Sequence, residues 1–273
     1  MTNMTRIAAV QMASGPQVAA NLNEAARLID KAAADGARLV ALPENFTCMP
    51  MKDSDRLSVA ESSDGGTVQT FLADQARSHR LWLVGGTMPL TTNDATKVRS
   101  ACLLYNDQGE RIARYDKMHL FDVRLTNGEE YQESRTFEAG NEPVVVDTPF
   151  GRLGLAVCYD LRFPELFRRL VDAGAQIIVI PSAFTAHTGR AHWETLLRAR
   201  AIENLTFIVA PAQGGYHVNG RETHGDSMIV NPWGEVLGRL ARGSGTVVAD
   251  CDLSVLRDLR RSLPCLEHRK LRI

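Results

Sequence analysis

Apolar positions along this chain come in two rhythms, short continuous runs and longer stretches at helical spacing, and the two alternate. Residues 6–11 form an apolar run with a polar residue at each end and predict a strand. The stretch 21–35 follows with Leu22, Ala25, Ala26, Ile29 and Ala33 on one helical face. The run 38–42 predicts a strand ended by Pro43. A helix is expected over 68–78, after the break at Gly65 and Gly66, and a strand over 81–87. Residues 101–106 and 110–115 flank Asp107-Gln108-Gly109 and predict a hairpin. The second half repeats the mixture, with strands at 144–147, 152–157, 177–180 and 207–210. Helices are expected at 165–173, after Pro164, and at 192–204. Runs at 227–230, 235–239 and 246–250 read as a meander, and a helix from 253 to about 262 follows. No repeat, low-complexity tract or long linker interrupts the series. The expectation is one α/β domain over 1–273, and two sheets with helices outside them would satisfy it.

Composition narrows the function. The 273 residues are 44% hydrophobic and 23% charged, which suits a packed core and excludes wholesale disorder. Thirty-one basic against 32 acidic residues leave a formal charge of −1, so no nucleic-acid or membrane-surface partner is expected. No apolar run approaches the roughly 18 residues of a membrane span. The first residues lack the apolar core of a signal peptide, and a soluble cytoplasmic protein is expected. Five scattered cysteines, Cys48, Cys102, Cys158, Cys251 and Cys265, argue against a disulfide framework and against a structural zinc site.

Three residues share a context that carries chemistry. Glu44, Lys117 and Cys158 each follow an apolar or β-prone run, and in α/β folds ligands and catalytic groups collect at the carboxyl ends of strands. A thiol attacks only as thiolate, so it needs a base or cation beside it. Glu44 is suited to take the thiol proton and later to activate water. Lys117 is suited to stabilise the oxyanion of a tetrahedral intermediate, with the backbone N–H of Tyr159 as a second donor. Taken singly, each is weak evidence, since such a cysteine is more often core and such a Glu or Lys more often solvated.

The surrounding words are more specific. Pro43-Glu44-Asn45-Phe46, Tyr115-Asp116-Lys117-Met118-His119 and Cys158-Tyr159-Asp160-Leu161-Arg162-Phe163-Pro164-Glu165 resemble, in order, the three signature segments of the nitrilase (carbon–nitrogen hydrolase) superfamily. The likeness continues through 181–184, 188–194, 198–204, 225–228 and 231–234, nearly the whole chain. It implies an α-β-β-α sandwich, assembly into a homodimer or higher homo-oligomer, and cofactor-free hydrolysis of a small amide through a cysteine thioester. It also implies the roles: Glu44 general base, Lys117 oxyanion stabiliser, Cys158 nucleophile. The family's second active-site glutamate matches Glu133 in Tyr131-Gln132-Glu133-Ser134, rather than Glu129 or Glu130. Tyr159, Arg162, Phe184 and Thr188 are the candidate substrate-binding residues. Within the superfamily, the segments 181–184, 198–203 and 259–264 look most like those of deaminated glutathione amidases.

Other readings stay beside this one. A papain-like Cys–His pair is available in principle, but no histidine stands in a recognisable signature, and His119 is taken as support for the lysine segment. His187 and His192 miss the spacing of a helical metal pair, so no metal is expected. Gly214-Gly215 and 243–245 carry no nucleotide-binding pattern and read as turns. Trp193 and Trp233 read as packing residues. Arg162 is either a substrate contact or an ion-pair partner of Glu165 or Glu203. Arg162 and Arg190 are the available cations for an anionic substrate. The basic stretch 257–272 reads as a solvated or subunit-contact face. Segments 47–56 and 217–222 match no pattern and are candidates for the pocket entrance. ω-Amidase, nitrilase and N-carbamoyl amidohydrolase activities remain alternatives, as does a silent binding protein on the same fold.

Overall fold

The structure is a computed structural model that describes residues 4–126 and 128–271. Its first sheet is built on β1 (Met4–Gln11), β2 (Leu39–Ala41) and β3 (Trp82–Val84), which run parallel. β4 (Met88–Thr91), β5 (Val98–Tyr105) and β6 (Arg111–Asp116) extend it antiparallel beyond β3. The second sheet begins with β9 (Val144–Thr148) and β10 (Gly151–Leu155) and adds β11 (Ile177–Val179) and β12 (Phe207–Ala210). It ends on β15 (Ser227–Val230) and β16 (Val236–Leu240). Two small hairpins stand apart: β7 (Asp122–Arg124) with β8 (Glu130–Gln132), and β13 (Gly214–Tyr216) with β14 (Glu222–His224).

The continuous apolar character of β1 has a simple cause, since both of its faces are covered. Ile7 and Ala9 join the core between the sheets, while Ala8 and Val10 pack with α1 (Val18–Ala34) and α3 (Thr67–His79). α1 offers Leu22, Ala25, Leu28, Ile29 and Ala32, one stripe at helical spacing. On the far side α4 (Pro164–Asp172) and α5 (Ala186–Asn204) cover the second sheet with Leu166, Phe167, Leu170, Trp193, Leu197 and Ala201. The layers are therefore helix, sheet, sheet, helix.

Departures from the expected elements have local reasons. Residues 246–250 do not complete a meander. β17 (Gly245–Asp252) pairs antiparallel with β1 over its full length, from Met4 opposite Asp252 to Gln11 opposite Gly245, and so belongs to the first sheet. α5 begins at Ala186 rather than at 192, because the Thr185 hydroxyl caps it by accepting the N–H of Thr188 at 3.2 Å. The strand expected over 81–87 breaks at Gly85-Gly86, where Gly86 adopts φ +54° and a Cβ would stand 2.1 Å from the Pro43 carbonyl oxygen. Besides the strands at 88–91 and in the two small hairpins, a short helix α2 (Asp55–Ser58) was not anticipated. α6 (Leu253–Ser262) starts where expected. The basic stretch 257–272 is not simply solvated: Arg260 donates to the Leu205 and Ala175 carbonyls, and Arg269 pairs with Asp172. Gly214 and Gly215 lie in β13 rather than in a turn. Trp193 is fully buried, but Trp233 is 61% exposed and not a core residue. All five cysteines are free, and no helix among the described residues is long and apolar enough to cross a membrane.

Candidate active site

Three strand ends deliver the central groups. After β2 the chain passes Leu42 and Pro43 and turns at Asn45, a non-glycine residue at φ +56°. The Asn45 N–H donates to Thr87 Oγ1 at 2.9 Å, and the Glu44 carbonyl accepts Gln213 Nε2 at 3.0 Å, so Glu44 is fixed from both sides. Lys117 follows β6, its N–H on the Ser100 carbonyl at 3.0 Å and its carbonyl accepting the Gly140 N–H at 2.9 Å. Cys158 follows β10 by way of Ala156 and Val157, and opens the 3₁₀ turn Cys158–Arg162. It sits at φ +47° with its N–H on the Pro181 carbonyl at 2.9 Å. A left-handed cysteine is strained, and such strain concentrates at functional sites.

The structure brings the four expected groups together. Lys117 Nζ donates to Glu44 Oε1 at 2.8 Å and to both oxygens of Glu133, at 2.9 and 2.8 Å. Glu133 opens its own 3₁₀ turn and also accepts the Phe121 N–H at 2.7 Å, a bond that aims the carboxylate at the ammonium. Burial pulls the Lys117 pKa down. Glu133, then Glu44 and Cys158, outweigh it and hold the ammonium above the ordinary lysine range. Cys158 moves the other way from a reactive thiolate. Burial pushes its pKa well up and the Glu44 carboxylate adds to that, while Lys117 and the Ala183 N–H oppose. At rest the site holds a protonated thiol beside a carboxylate able to take its proton.

Asp160 links two of these strand ends and was not singled out from the sequence. It is fully buried and accepts Tyr115 Oη at 2.7 Å, the Val157 N–H at 2.8 Å and the His119 N–H at 3.1 Å. Its Oδ1 also lies 2.7 Å from His119 Nδ1. Tyr115 and His119 flank Lys117, and Val157 precedes Cys158, so one carboxylate registers lysine against thiol. The supporting part expected of His119 is placed here.

These groups line a cleft of about 580 Å³. Tyr159, Arg162, Phe184 and Thr188 all line it, together with Asn45, Phe121, Tyr131, Phe137 and Ala183. The two unmatched segments also reach it, through Asp53 and Arg56 from one and Arg221 from the other. Asn219 Nδ2 ties those segments together by donating to the Pro50 carbonyl at 2.8 Å. Arg190 is exposed and lines no part of the cleft, so it is not the pocket cation it was expected to be. Arg162 does not pair with Glu165 or Glu203. Its guanidinium lies over the Phe184 and Tyr159 rings at 5.3 and 5.8 Å, while Glu203 engages Arg200 and Arg168. Among the described residues no group of three or more His, Cys, Asp or Glu is placed to hold a metal ion.

Known proteins resemble this chain over nearly its whole length. The carbon-nitrogen hydrolase family model matches residues 6–261. A deaminated glutathione amidase of Synechocystis sp. is 42% identical over 265 residues, 96% of this chain and 97% of that protein. The crystal structure of the C. elegans NitFhit protein superposes with a TM-score of 0.92 at 38% identity, covering 98% of this chain and 66% of that one. Saccharomyces cerevisiae Nit3, a member of the nitrilase superfamily, gives 0.88 at 29% identity, covering 98% and 97%. By sequence and by fold, then, the chain belongs to the carbon-nitrogen hydrolase family.

Proposed function

We propose that the chain, taken as one catalytic domain over 1–273, hydrolyses a carbon–nitrogen amide bond with Cys158 as nucleophile, and that its substrate is deaminated glutathione. One observation carries the reading: a strained Cys158 faces a lysine pinned between two carboxylates at the base of a cleft. Glu44 takes the thiol proton as sulfur attacks the amide carbon. Neutralised, Glu44 loosens its hold on Lys117, and one ammonium N–H turns to the new oxyanion beside the Tyr159 N–H. Collapse of the intermediate expels the amine, which takes its proton from Glu44 and leaves a thioester on Cys158. Glu44 then removes a proton from water, which attacks the thioester. Collapse of the second intermediate releases the acid product, and the Cys158 sulfur regains its proton from Glu44. Glu133 keeps Lys117 charged and aimed. No metal or cofactor enters any step.

The substrate reading draws on the relative named above and on the cations of the cleft. Cleavage of deaminated glutathione yields 2-oxoglutarate and cysteinylglycine, each carrying a carboxylate beyond the reacting bond. Arg162, on the turn that begins with Cys158, is suited to the 2-oxo acid end, with Phe184 and Thr188 beside it. The same reading takes the working form as a homodimer or larger homo-oligomer in the cytoplasm. Exposed Ile202 and Trp233, where the 231–234 turn lies on α5, support such assembly.

The test compares kcat/KM for deaminated glutathione, α-ketoglutaramate, an N-carbamoyl amino acid and a simple nitrile under one condition. Deaminated glutathione is expected to lead, because a site built to pair a charged group discriminates against substrates lacking it. A lead for α-ketoglutaramate makes the protein an ω-amidase. A lead for the carbamoyl compound or the nitrile removes the subfamily reading and leaves the Cys–Glu–Lys chemistry.

A further inference from the structure

Among the described residues, two guanidinium groups on the wall of the cleft have no acidic partner. Arg162 lies over Tyr159 and Phe184, with Nη1 3.2 Å from His192 Nδ1. Arg221 lies over Tyr131 at 5.0 Å and donates through Nη2 to the Ala183 carbonyl at 3.0 Å, while its buried Nε meets no acceptor. The third arginine, Arg56, is balanced by Asp53. The rings of Tyr131, Phe121 and Tyr159 form a row with centroids 5.1 and 5.0 Å apart. Arg221 sits at one end of that row and Arg162 at the other. Ala183 and Phe184 close the circuit on the opposite side, above the thiol that the Ala183 N–H faces. Both side chains are partly buried, and two partly desolvated guanidiniums set apart without carboxylates suit a ligand with two separated anions.

We propose that Arg221 is the specificity residue for the leaving half of the substrate and receives a carboxylate carried by the departing amine. This rests on the amidase reading above. The acyl half stays on Cys158 through both half-reactions, so its cation belongs on the nucleophile's own turn, where Arg162 is. The amine half leaves first. Arg221 precedes β14, in the hairpin whose other strand ends at Tyr216 and whose connecting turn carries Val218, both 74% exposed, so the amine half meets its cation on the side open to solvent. The preferred substrate class is then an amide whose amine part is a short peptide with a free C-terminal carboxylate. An amide that releases only ammonia leaves Arg221 without a partner.

The test uses two substrates alike except that the leaving peptide ends in a carboxylate or in a carboxamide. The wild-type enzyme is expected to prefer the free acid by about 10–100-fold in kcat/KM, the range of one hydrogen-bonded charge. Arg221→Gln brings that ratio close to unity, and Arg221→Lys restores part of it, having the charge without the fork. Arg162→Gln lowers kcat/KM for both substrates and keeps the ratio. A merely structural role for Arg221 would weaken both substrates alike, so a ratio that survives Arg221→Gln overturns the assignment. A ratio lost in Arg162→Gln instead overturns it as well. Wild-type enzyme that cleaves both substrates equally removes the role of Arg221 and leaves the amidase reading standing. Failure to cleave either removes both.

Discussion

Burial and Glu44 keep the Cys158 thiol protonated, whereas Lys117 and the Ala183 N–H favour the thiolate. That balance makes Glu44 separable from a simple activator of sulfur. Replacing its carboxylate removes a charge that raises the thiol pKa and leaves Lys117 in place, so the thiol should become more acidic. Glu44→Gln is therefore expected to speed alkylation of Cys158 by iodoacetamide at pH 7, by about tenfold for each unit the pKa falls. The same variant should lose amide turnover by about 10²-fold or more, since no group remains to protonate the leaving nitrogen. Slower alkylation, measured by peptide mass spectrometry, would contradict the electrostatics. At this scale the sequence was informative where a residue type and a strand end coincide, as for Glu44, Lys117 and Cys158. Arg221 was not legible, because its segment matches no motif and nothing in 217–222 tells which side chain turns inward. Arg190 failed for the same reason in reverse, as a cation close in sequence but pointing to solvent.

The elements that frame the cleft are held by buried polar groups rather than by apolar area alone. His217 fastens the β13–β14 hairpin: Nδ1 lies 2.9 Å from the Ser14 carbonyl and Nε2 2.7 Å from Thr223 Oγ1. Burial lowers its pKa below the ordinary histidine value, the Ser14 bond opposes, and Arg221 adds a smaller downward push. The folded state therefore favours the neutral ring. Its contribution is complete above the unfolded histidine value of about 6.5 and is lost as pH falls through the lower folded-state value. Denaturant midpoints measured between pH 8 and pH 5 should decline on the acid side, and His217→Gln should flatten that decline. An unchanged slope in the variant would show that the hairpin does not depend on the neutral ring. Most element types and centres were readable from periodicity, as for 207–210 and the helix at 253. Ends near the site were not: β2, β3 and β10 stop early because the chain leaves the sheet there to place Glu44, Thr87 and Cys158.

Across the whole molecule, function depends on sheet pairing that periodicity cannot specify. A short apolar run such as 246–250 predicts a buried strand and does not say which sheet it joins. Only the pairing of β17 with β1 assigns it to the first sheet, and thereby leaves β12, β11 and β10 to carry 181–184 and the cysteine turn to the same edge as Glu44 and Lys117. The layer order was accessible only through the family words, since helices outside two sheets satisfy the composition without being required by it. The claim that joins all scales is a covalent one: the acyl half of the substrate rests on Cys158. Intact-protein and peptide mass spectrometry of acid-quenched enzyme, taken milliseconds after mixing with deaminated glutathione, tests it directly. The expected result is a transient mass gain equal to the acyl half, mapped to Cys158, and absent together with turnover in Cys158→Ala. An adduct on another cysteine, or turnover that survives Cys158→Ala, would contradict it.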